Sequence, residues 1–180
     1  MLRNSIFIGM NRAKFICKIL FNITFLLGLL YLLTVLYASV CLVTGWGISA
    51  YGEGKFLRIH YPFTQKAFLL VENNASYKIF SFLLPLSFYT LFFLQVSQVF
   101  KVFTKPKQFT IPNLSQLKRF YWLNLLLPLM GTVAASFFVP IEDNIALLIG
   151  VHFILGIFAF LLAEIFRQGL KLQNEQDLYI

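Results

Sequence analysis

The chain has 180 residues, of which 59% are hydrophobic, 18% aromatic and only 12% charged, and its formal net charge is +8. A soluble domain of this size needs more charge on its surface, so the composition excludes an ordinary soluble globular protein. The basic residues lie in short segments between apolar runs, which is typical of the flanks of membrane spans. We therefore expect no direct nucleic-acid binding.

Four uncharged runs divide the chain, and each is long enough to cross a bilayer as a helix, for which about 20 residues suffice. They predict a single all-α membrane domain over residues 1–180 with four transmembrane helices. The uncharged runs are 19–52, 79–100, 120–141 and 144–163, and the expected spans are about 15–44, 78–101, 117–139 and 145–167.

The basic residues also predict an orientation. With the N-terminus inside, eleven of them fall on the inner side and only Lys55, Arg58, Lys66 and Lys78 on the outer side. The positive-inside rule then places both termini in the cytoplasm (N-in/C-in) and the chain in the cell inner membrane. Residues 45–77 form the outer loop, 104–110 the inner loop and 168–180 a cytoplasmic tail. Anionic lipid headgroups are the expected contacts of the inner basic residues.

The first helix is expected from about Lys14 to Thr44, after a basic lead-in over residues 1–13, and Gly45-Trp46-Gly47 ends it. In the outer loop, short apolar runs from Lys55 to Tyr61 and from Lys66 to Glu72 predict a small β-hairpin between helices 1 and 2. This loop is either a sensor of an external ligand or a connector, and we favour the connector.

The second helix is expected from Tyr77 to Phe103, and Pro85 should kink it. Near its inner end, Gln95, Gln98 and Lys101 are spaced three apart, which places them on roughly one face. They form either a polar track or interhelical hydrogen bonds, and we favour the second interpretation.

The third helix is expected to begin after a Thr110 cap and to run to about Phe138, with Asn124 just inside the membrane. The short connection Val139–Asp143 predicts that it forms a tight antiparallel pair with the fourth helix. We expect the small residues of the third helix to face those of the fourth. These are Gly131 and Ala135 on the third helix, and Gly156, Ala159 and Ala163, in line with His152, on the fourth.

Ionisable residues within a span suggest a function, and the candidates are His152 and Glu164. They lie twelve residues apart, about 18 Å along one helix, so they cannot form a dyad. Glu164 is expected to pair with Arg167, and His152 to bond Asn124 or a hydroxyl on the third helix. The sequence has no catalytic motif and no set of three or four metal ligands. We expect no enzyme activity, metal or cofactor.

Three segments together resemble a known family: KQFTIPNLSQLKRFYWL, the short acidic turn and LAEIFRQGLKLQNEQDLYI. They are similar to the DUF2975 family of bacterial four-helix membrane proteins. Tyr179 stands where the family ending usually has Thr, and Lys107-Gln108 replaces the usual Gly/Pro part of the inner segment. The resemblance implies four helices, no established activity and a frequent genomic neighbour, a small Cro/Xre-type helix-turn-helix regulator. The matching residues are Phe109, Thr110, Glu164, Phe166, Arg167, Gly169, Leu172, Asp177, Leu178 and Ile180.

Two functions are consistent with these features. The first is a membrane-anchored regulatory or interaction protein with a cytosolic partner, such as a helix-turn-helix regulator. The second is a subunit of an oligomeric small-molecule or ion transporter, in which a homo-oligomer completes the path. The first is preferred because the fourth helix should continue to about Gln173 and carry a basic, partly apolar surface past the membrane, with Arg167 and Lys171. The apolar residues of that surface, Ile165, Phe166, Leu170 and Leu172, need a cover, either other helix ends or a partner.

Overall fold

The computed structural model describes the backbone of residues 2–177 and the side chains of residues 12–176. Over these residues the chain is mostly helical, with four long helices and one small sheet. The elements in order are α1 (Leu2–Thr44), β1 (Ile48–Tyr51), β2 (Phe56–His60), β3 (Ala67–Glu72), a π-helical segment (Tyr77–Leu83), α2 (Leu84–Thr104), α3 (Ile111–Ser136) and α4 (Asn144–Asp177).

Within the described residues, three helical stretches are long and apolar enough to cross a membrane: Arg12–Thr44, Tyr77–Thr104 and Asn144–Gln176. Helix α3, with 26 residues, is less apolar than these three stretches. Its first turns carry Lys118 and Arg119, and it ends at Ser136. The uncharged helical part is therefore only 120–136, shorter than the expected span 117–139 and than the usual length of about 20 residues.

Helix α1 begins earlier than expected, because the basic lead-in is itself helical from Leu2. At the other end the expected stop is confirmed. Gly45 adopts a positive φ of 74°, and its N–H bonds the carbonyl of Cys41 at 2.8 Å. This left-handed residue after the last turn ends the helix in the way that glycine commonly does.

The predicted hairpin is present as β2 and β3, which pair antiparallel, but it is part of a three-stranded sheet in the order β1-β2-β3. The missed strand is β1, which pairs with β2 through Ile48 opposite Ile59. A turn with positive φ at Gly52, Glu53 and Gly54 joins the two strands. The third strand completes a buried face, on which Ile59 and Val71 pack against Ala38 and Cys41 of α1.

The first part of the expected second helix, from Tyr77 to Leu83, is a π-helical segment that precedes α2. The N–H of Leu84 bonds the carbonyl of Ile79, five residues back. Pro85 then occupies the first turn of α2, where its missing N–H is tolerated. The wider turns let the chain pass from the sheet into α2 without a break.

The helices pack in chain order: α1 against α2, α2 against α3, and α3 along α4. Helices α1 and α2 approach closely at Gly28, where a Cβ atom would lie 2.8 Å from Leu94 Cδ2. Helices α2 and α4 also meet, through the rings of Phe103 and Phe166, whose centroids are 5.7 Å apart. The sheet and the α3–α4 turn lie at one end of this bundle, called here the sheet end. The α2–α3 loop lies at the other, the loop end.

The α3–α4 pair forms as expected, but the predicted contact between its small residues is wrong. A Cβ atom at Gly156 would lie 2.7 Å from Leu125 of α3, whereas one at Gly131 would meet Leu84 of α2 at 3.7 Å. In an antiparallel pair whose register is set by His152 opposite Asn124, Gly131 lies nearer the sheet end than Gly156. The two glycines therefore belong to different interfaces.

Candidate functional site

Among the His, Lys, Arg, Asp and Glu residues that the structure describes, His152 of α4 is the one that is buried. It is only 3% exposed. Its Nδ1 lies 2.9 Å from Oδ1 of Asn124 on α3, which is itself 1% exposed. Asn124 also donates from Nδ2 to the carbonyl of Phe120 at 2.8 Å. Of the hydrogen-bond partners that the sequence suggested for His152, the structure selects Asn124.

Three aromatic rings of α2 surround the imidazole. The ring centroids of Phe88 and Phe92 lie 4.8 and 5.1 Å from that of His152, with both rings nearly perpendicular to it. Tyr89 lies 6.1 Å away in a tilted arrangement. The spacing of these rings along α2 places them on the face toward α4. Together with Asn124 they hold the imidazole in one orientation.

His152 also lines a cavity of about 750 Å³ at the sheet end, called here the sheet-end cavity. Its walls come from the end of β3, the π-helical segment, α2, the second half of α3 and the first turns of α4. Most of the lining is apolar, and two exposed acids, Glu72 and Glu142, stand among its lining residues. Representative wall residues are Leu84, Phe88, Leu127, Ile145 and Ile149.

The loop end has its own apolar cluster, in which Val102, Leu117, Ala163 and Phe166 are buried. Phe109, in the α2–α3 loop, packs against Phe166 with a centroid separation of 5.2 Å. It lies over Gly169, where a Cβ atom would be 2.6 Å from its ring. The glycine in the fourth helix therefore lets this loop lie directly on α4.

Asn113 is a structural residue to which the sequence analysis assigned no role. It is fully buried and donates from Nδ2 to the carbonyls of Lys107 and Gln108 at 3.2 and 2.9 Å. Its Oδ1 accepts from Lys105 Nζ at 2.7 Å. The one signal in the sequence was the position of Asn113, three residues after the predicted Thr110 cap. The Thr110 hydroxyl accepts a hydrogen bond from the N–H of Asn113 at 3.4 Å.

The charged residues at the loop end of α4 form ion pairs on the surface. Glu164 pairs with Arg167 as expected, and Lys171 with Glu175 at 3.8 Å. The Lys171 pair is exposed and the Glu164–Arg167 pair partly so, and such pairs add at most about 1 kcal/mol to stability. Each of these two basic residues of α4 is therefore balanced by an acid on the same helix.

The glutamines of α2 do not form a continuous track. Gln95 donates to the Gln116 side chain on α3 at 3.1 Å, which is the interhelical bond that we favoured. Gln98 instead contacts its neighbour Ser97 at 3.4 Å. Lys101 is exposed, with its ammonium 5.7 Å from the centroid of the Phe21 ring.

His152 and Glu164 stay apart on α4, so the candidate residues form two places rather than one. His152 and Asn124 border the sheet-end cavity, whereas Glu164, Arg167 and Lys171 lie at the loop end. In the part of the chain that the structure describes, no group of three or more His, Cys, Asp or Glu is arranged to hold a metal ion. Leu178, Tyr179 and Ile180 of the family-like ending lie outside the described residues.

A family model described as "Protein of unknown function (DUF2975)" matches residues 57–180. The match covers more than half of the chain, from β2 to the last residue, and includes both places described above. Comparisons with curated proteins and with solved structures give no match.

Proposed function

The chain belongs to the DUF2975 family, and on that premise we propose that it is a membrane-anchored interaction protein with a cytosolic protein partner. In this proposal it crosses the cell inner membrane four times and presents the loop end of α4 to the partner. The steps below concern its placement in the membrane, its orientation and the surface that it offers.

The placement in a membrane is supported by the three apolar helical stretches. Helix α3 completes the set because it packs along α4 and is joined to it by a short turn, which puts both helices in the same layer. The polar side chains of α3 are also satisfied inside the bundle, since Asn124 bonds His152 and Phe120. A span of lower hydropathy is tolerated when its polar groups face protein.

The orientation follows from charge. The loop end carries exposed basic residues from three helices and the loop between them, whereas the α3–α4 turn carries two acids, Glu142 and Asp143. The positive-inside rule places such a basic end in the cytoplasm, next to anionic lipid headgroups. The basic residues are Lys101, Lys107, Lys118, Arg119, Arg167 and Lys171.

The observation that carries the proposal is the exposure of Ile165 and Leu172, which are 57% and 61% exposed. Spaced seven apart, they share one face of α4. Ile165 lies at the inner end of the expected span 145–167, and Leu172 lies beyond it, where lipid no longer requires apolar side chains. Phe166, in contrast, is covered by Phe103 and Phe109. Other parts of the chain therefore cover Phe166, whereas the Ile165/Leu172 face is exposed.

A protein partner suits this face because two apolar anchors within a charged rim resemble the centre and border of a protein interface. The resemblance to the family names a small helix-turn-helix regulator as the first partner to test. On this proposal the membrane protein holds the regulator at the membrane, and anionic lipid contacts the remaining basic residues.

The test is co-purification of the detergent-solubilised full chain with the helix-turn-helix protein encoded next to it. In the double variant Ile165→Ser/Leu172→Ser, co-purification should fall at least tenfold, because both apolar anchors are lost. The matched control is Phe63→Ser, which removes an apolar side chain that is 96% exposed at the sheet end. It should co-purify like the unmodified chain. Equal recovery with both variants would refute the proposed surface.

The second candidate, a subunit of an oligomeric transporter, is supported by a different observation, the buried His152–Asn124 pair beside the sheet-end cavity. A transport path needs polar groups within the membrane, and this pair supplies them at one level. A flux assay in liposomes separates the candidates, since only a transporter loses flux in an Asn124→Leu variant that still inserts.

A further inference from the structure

We propose that the sheet-end cavity binds an uncharged, lipid-like molecule whose hydroxyl group donates a hydrogen bond to Nε2 of His152. This inference does not depend on the cytosolic partner. It rests on the polarity of the hydrogen bonds around His152, the shape of the cavity and the charges beside it.

The hydrogen bonds fix which nitrogen of the neutral ring carries the proton. The carbonyl of Phe120 can only accept, so the group of Asn124 that bonds it is the amide nitrogen. The amide oxygen of Asn124 then faces His152, and Nδ1 must donate to it. With its proton on Nδ1, the neutral ring has a lone pair on Nε2, which is an acceptor.

Nε2 has room for a ligand. Every fully buried side-chain nitrogen or oxygen in the described part of the chain has a hydrogen-bond partner. Nε2 makes no hydrogen bond to the described residues, so it is not fully buried and borders accessible space. The space that His152 lines is the sheet-end cavity. A side chain that is 97% buried, by the 3% exposure of His152, thus offers one unused acceptor to an apolar cavity.

The lining selects the class of ligand. Apolar walls favour an apolar body, and one acceptor at depth favours a single donor. A carboxylate is disfavoured because Glu72 and Glu142 stand among the lining residues and because an ionised acid has no proton to donate. An ammonium is disfavoured at depth because burying a charge among apolar side chains is costly. A hydroxyl on an alkyl or similar body meets all three conditions.

The volume agrees with this class. A cavity of about 750 Å³ lies within the usual range of small-molecule sites, roughly 300–1,000 Å³. Gly131 contributes to the space, since a Cβ atom there meets only Leu84 Cδ2, at an ordinary 3.7 Å. A larger side chain at this position would extend into the cavity without displacing backbone.

The test uses the full chain in nanodiscs made of phospholipids without free hydroxyl groups, with ¹⁵N-labelled histidine. The chain has only two histidines, and the signal lost in His152→Asn assigns His152. We expect its Nδ1 to be protonated and its Nε2 to be a bare acceptor. On addition of 1-decanol the Nε2 signal should move, whereas decane and decanoate should leave it in place. The apparent affinity for 1-decanol should exceed that for decanoate by about tenfold or more.

Two matched glycine variants complete the test. Gly131→Leu fills part of the cavity and should weaken the 1-decanol response at least tenfold. Gly150→Leu adds the same side chain to α4 where nothing lies within 4 Å of the new Cβ atom, and it should leave the response unchanged. If Gly131→Leu does not fold, the comparison of 1-decanol with decane on the unmodified chain still decides.

Three results would overturn the proposal. The first is a His152 ring with its proton on Nε2. The second is an equal shift with decane, which would mean that an acyl chain fills the cavity without a hydrogen bond. The third is an unchanged 1-decanol response in a folded Gly131→Leu protein.

Discussion

Two buried asparagines, Asn124 and Asn113, organise the two ends of the helical bundle at the level of single residues. Asn124 links α3 to His152 of α4, and Asn113 holds the α2–α3 loop against the start of α3. Each uses both atoms of its amide, so each acts as donor and acceptor at once. An apolar replacement of similar size would leave more than one partner without its hydrogen bond, which costs more than the loss of one bond.

The residue-scale prediction concerns Asn113→Leu. The change leaves the carbonyls of Lys107 and Gln108 and the ammonium of Lys105 without their partner, so we expect a loss of about 1–3 kcal/mol of stability. The melting temperature in detergent should fall, and protease should cut near residues 105–110 faster. Asn174→Leu, at an exposed position of α4, is the control and should change neither measurement.

A second residue-scale prediction concerns Tyr37, whose hydroxyl donates to the carbonyl of His60 at 2.6 Å and ties α1 to β2. Tyr37→Phe removes this bond and keeps the ring, which contacts Trp46 edge-on. We expect a loss of about 0.5–1.5 kcal/mol, measured by thermal unfolding. Tyr61→Phe, for which the structure records no hydroxyl hydrogen bond among the described residues, should unfold like the unmodified chain.

At the level of elements, helix α4 divides into a buried stripe and an exposed face. His152, Gly156, Ala159, Ala163 and Phe166 are all buried, and their alternating spacing of four and three keeps them on one side of the helix. The small members let α3 approach, as close packing of membrane helices requires. The same helix thus serves the cavity near one end and the proposed partner surface near the other.

The element-scale prediction compares two glycines of α4. Gly156→Ala places a Cβ atom 2.7 Å from Leu125 side-chain atoms and 3.3 Å from the Leu125 backbone nitrogen, so α3 must move. Gly150→Ala gains the same helix propensity and meets nothing within 4 Å. We expect Gly156→Ala to be less stable than Gly150→Ala by about 1–3 kcal/mol. Equal melting temperatures of the two variants in detergent would show that the α3–α4 contact is looser than described.

At the level of the whole molecule, four helices that pack in chain order connect the basic loop end to the sheet end. Each helix packs on its neighbour in sequence, so the contacts that build the bundle are local in topology. The loop end is basic and exposes the Ile165/Leu172 face, whereas the sheet end holds the cavity. In the proposed topology the two ends lie in different compartments, and each end offers one surface.

The prediction at this scale concerns topology. In a background without Cys17 and Cys41, single cysteines replace Thr64, Lys107 and Asp143, all of them exposed. A membrane-impermeant maleimide should label positions 64 and 143 in intact cells with a permeable outer envelope. It should label position 107 only after the inner membrane is opened, because the proposed topology places the basic end inside. Labelling of 107 and 143 from the same side would show that α3 does not cross.

The sequence predicted the helices well because each is encoded locally, by an uncharged run and by residues near the helix ends such as Gly45 and Pro85. It also predicted the His152–Asn124 bond as one of several options, because buried polar side chains need partners. It missed β1, whose four residues lie in a glycine-rich stretch and become a strand only by pairing with β2. Strand pairing depends on residues that are distant in sequence, so a short strand leaves little local signal.

By itself, the amino-acid sequence determined the class of the protein, its four helices, its family and the side chains that need partners. These properties follow from hydrophobicity, charge and local backbone preference, which act along the chain. Only the tertiary structure decided which faces meet: Gly156 on Leu125 rather than on Gly131, Phe109 over Gly169, and His152 beside a cavity. The reason is that register and depth between antiparallel helices depend on the fit of many side chains at once, and helical spacing alone does not set them.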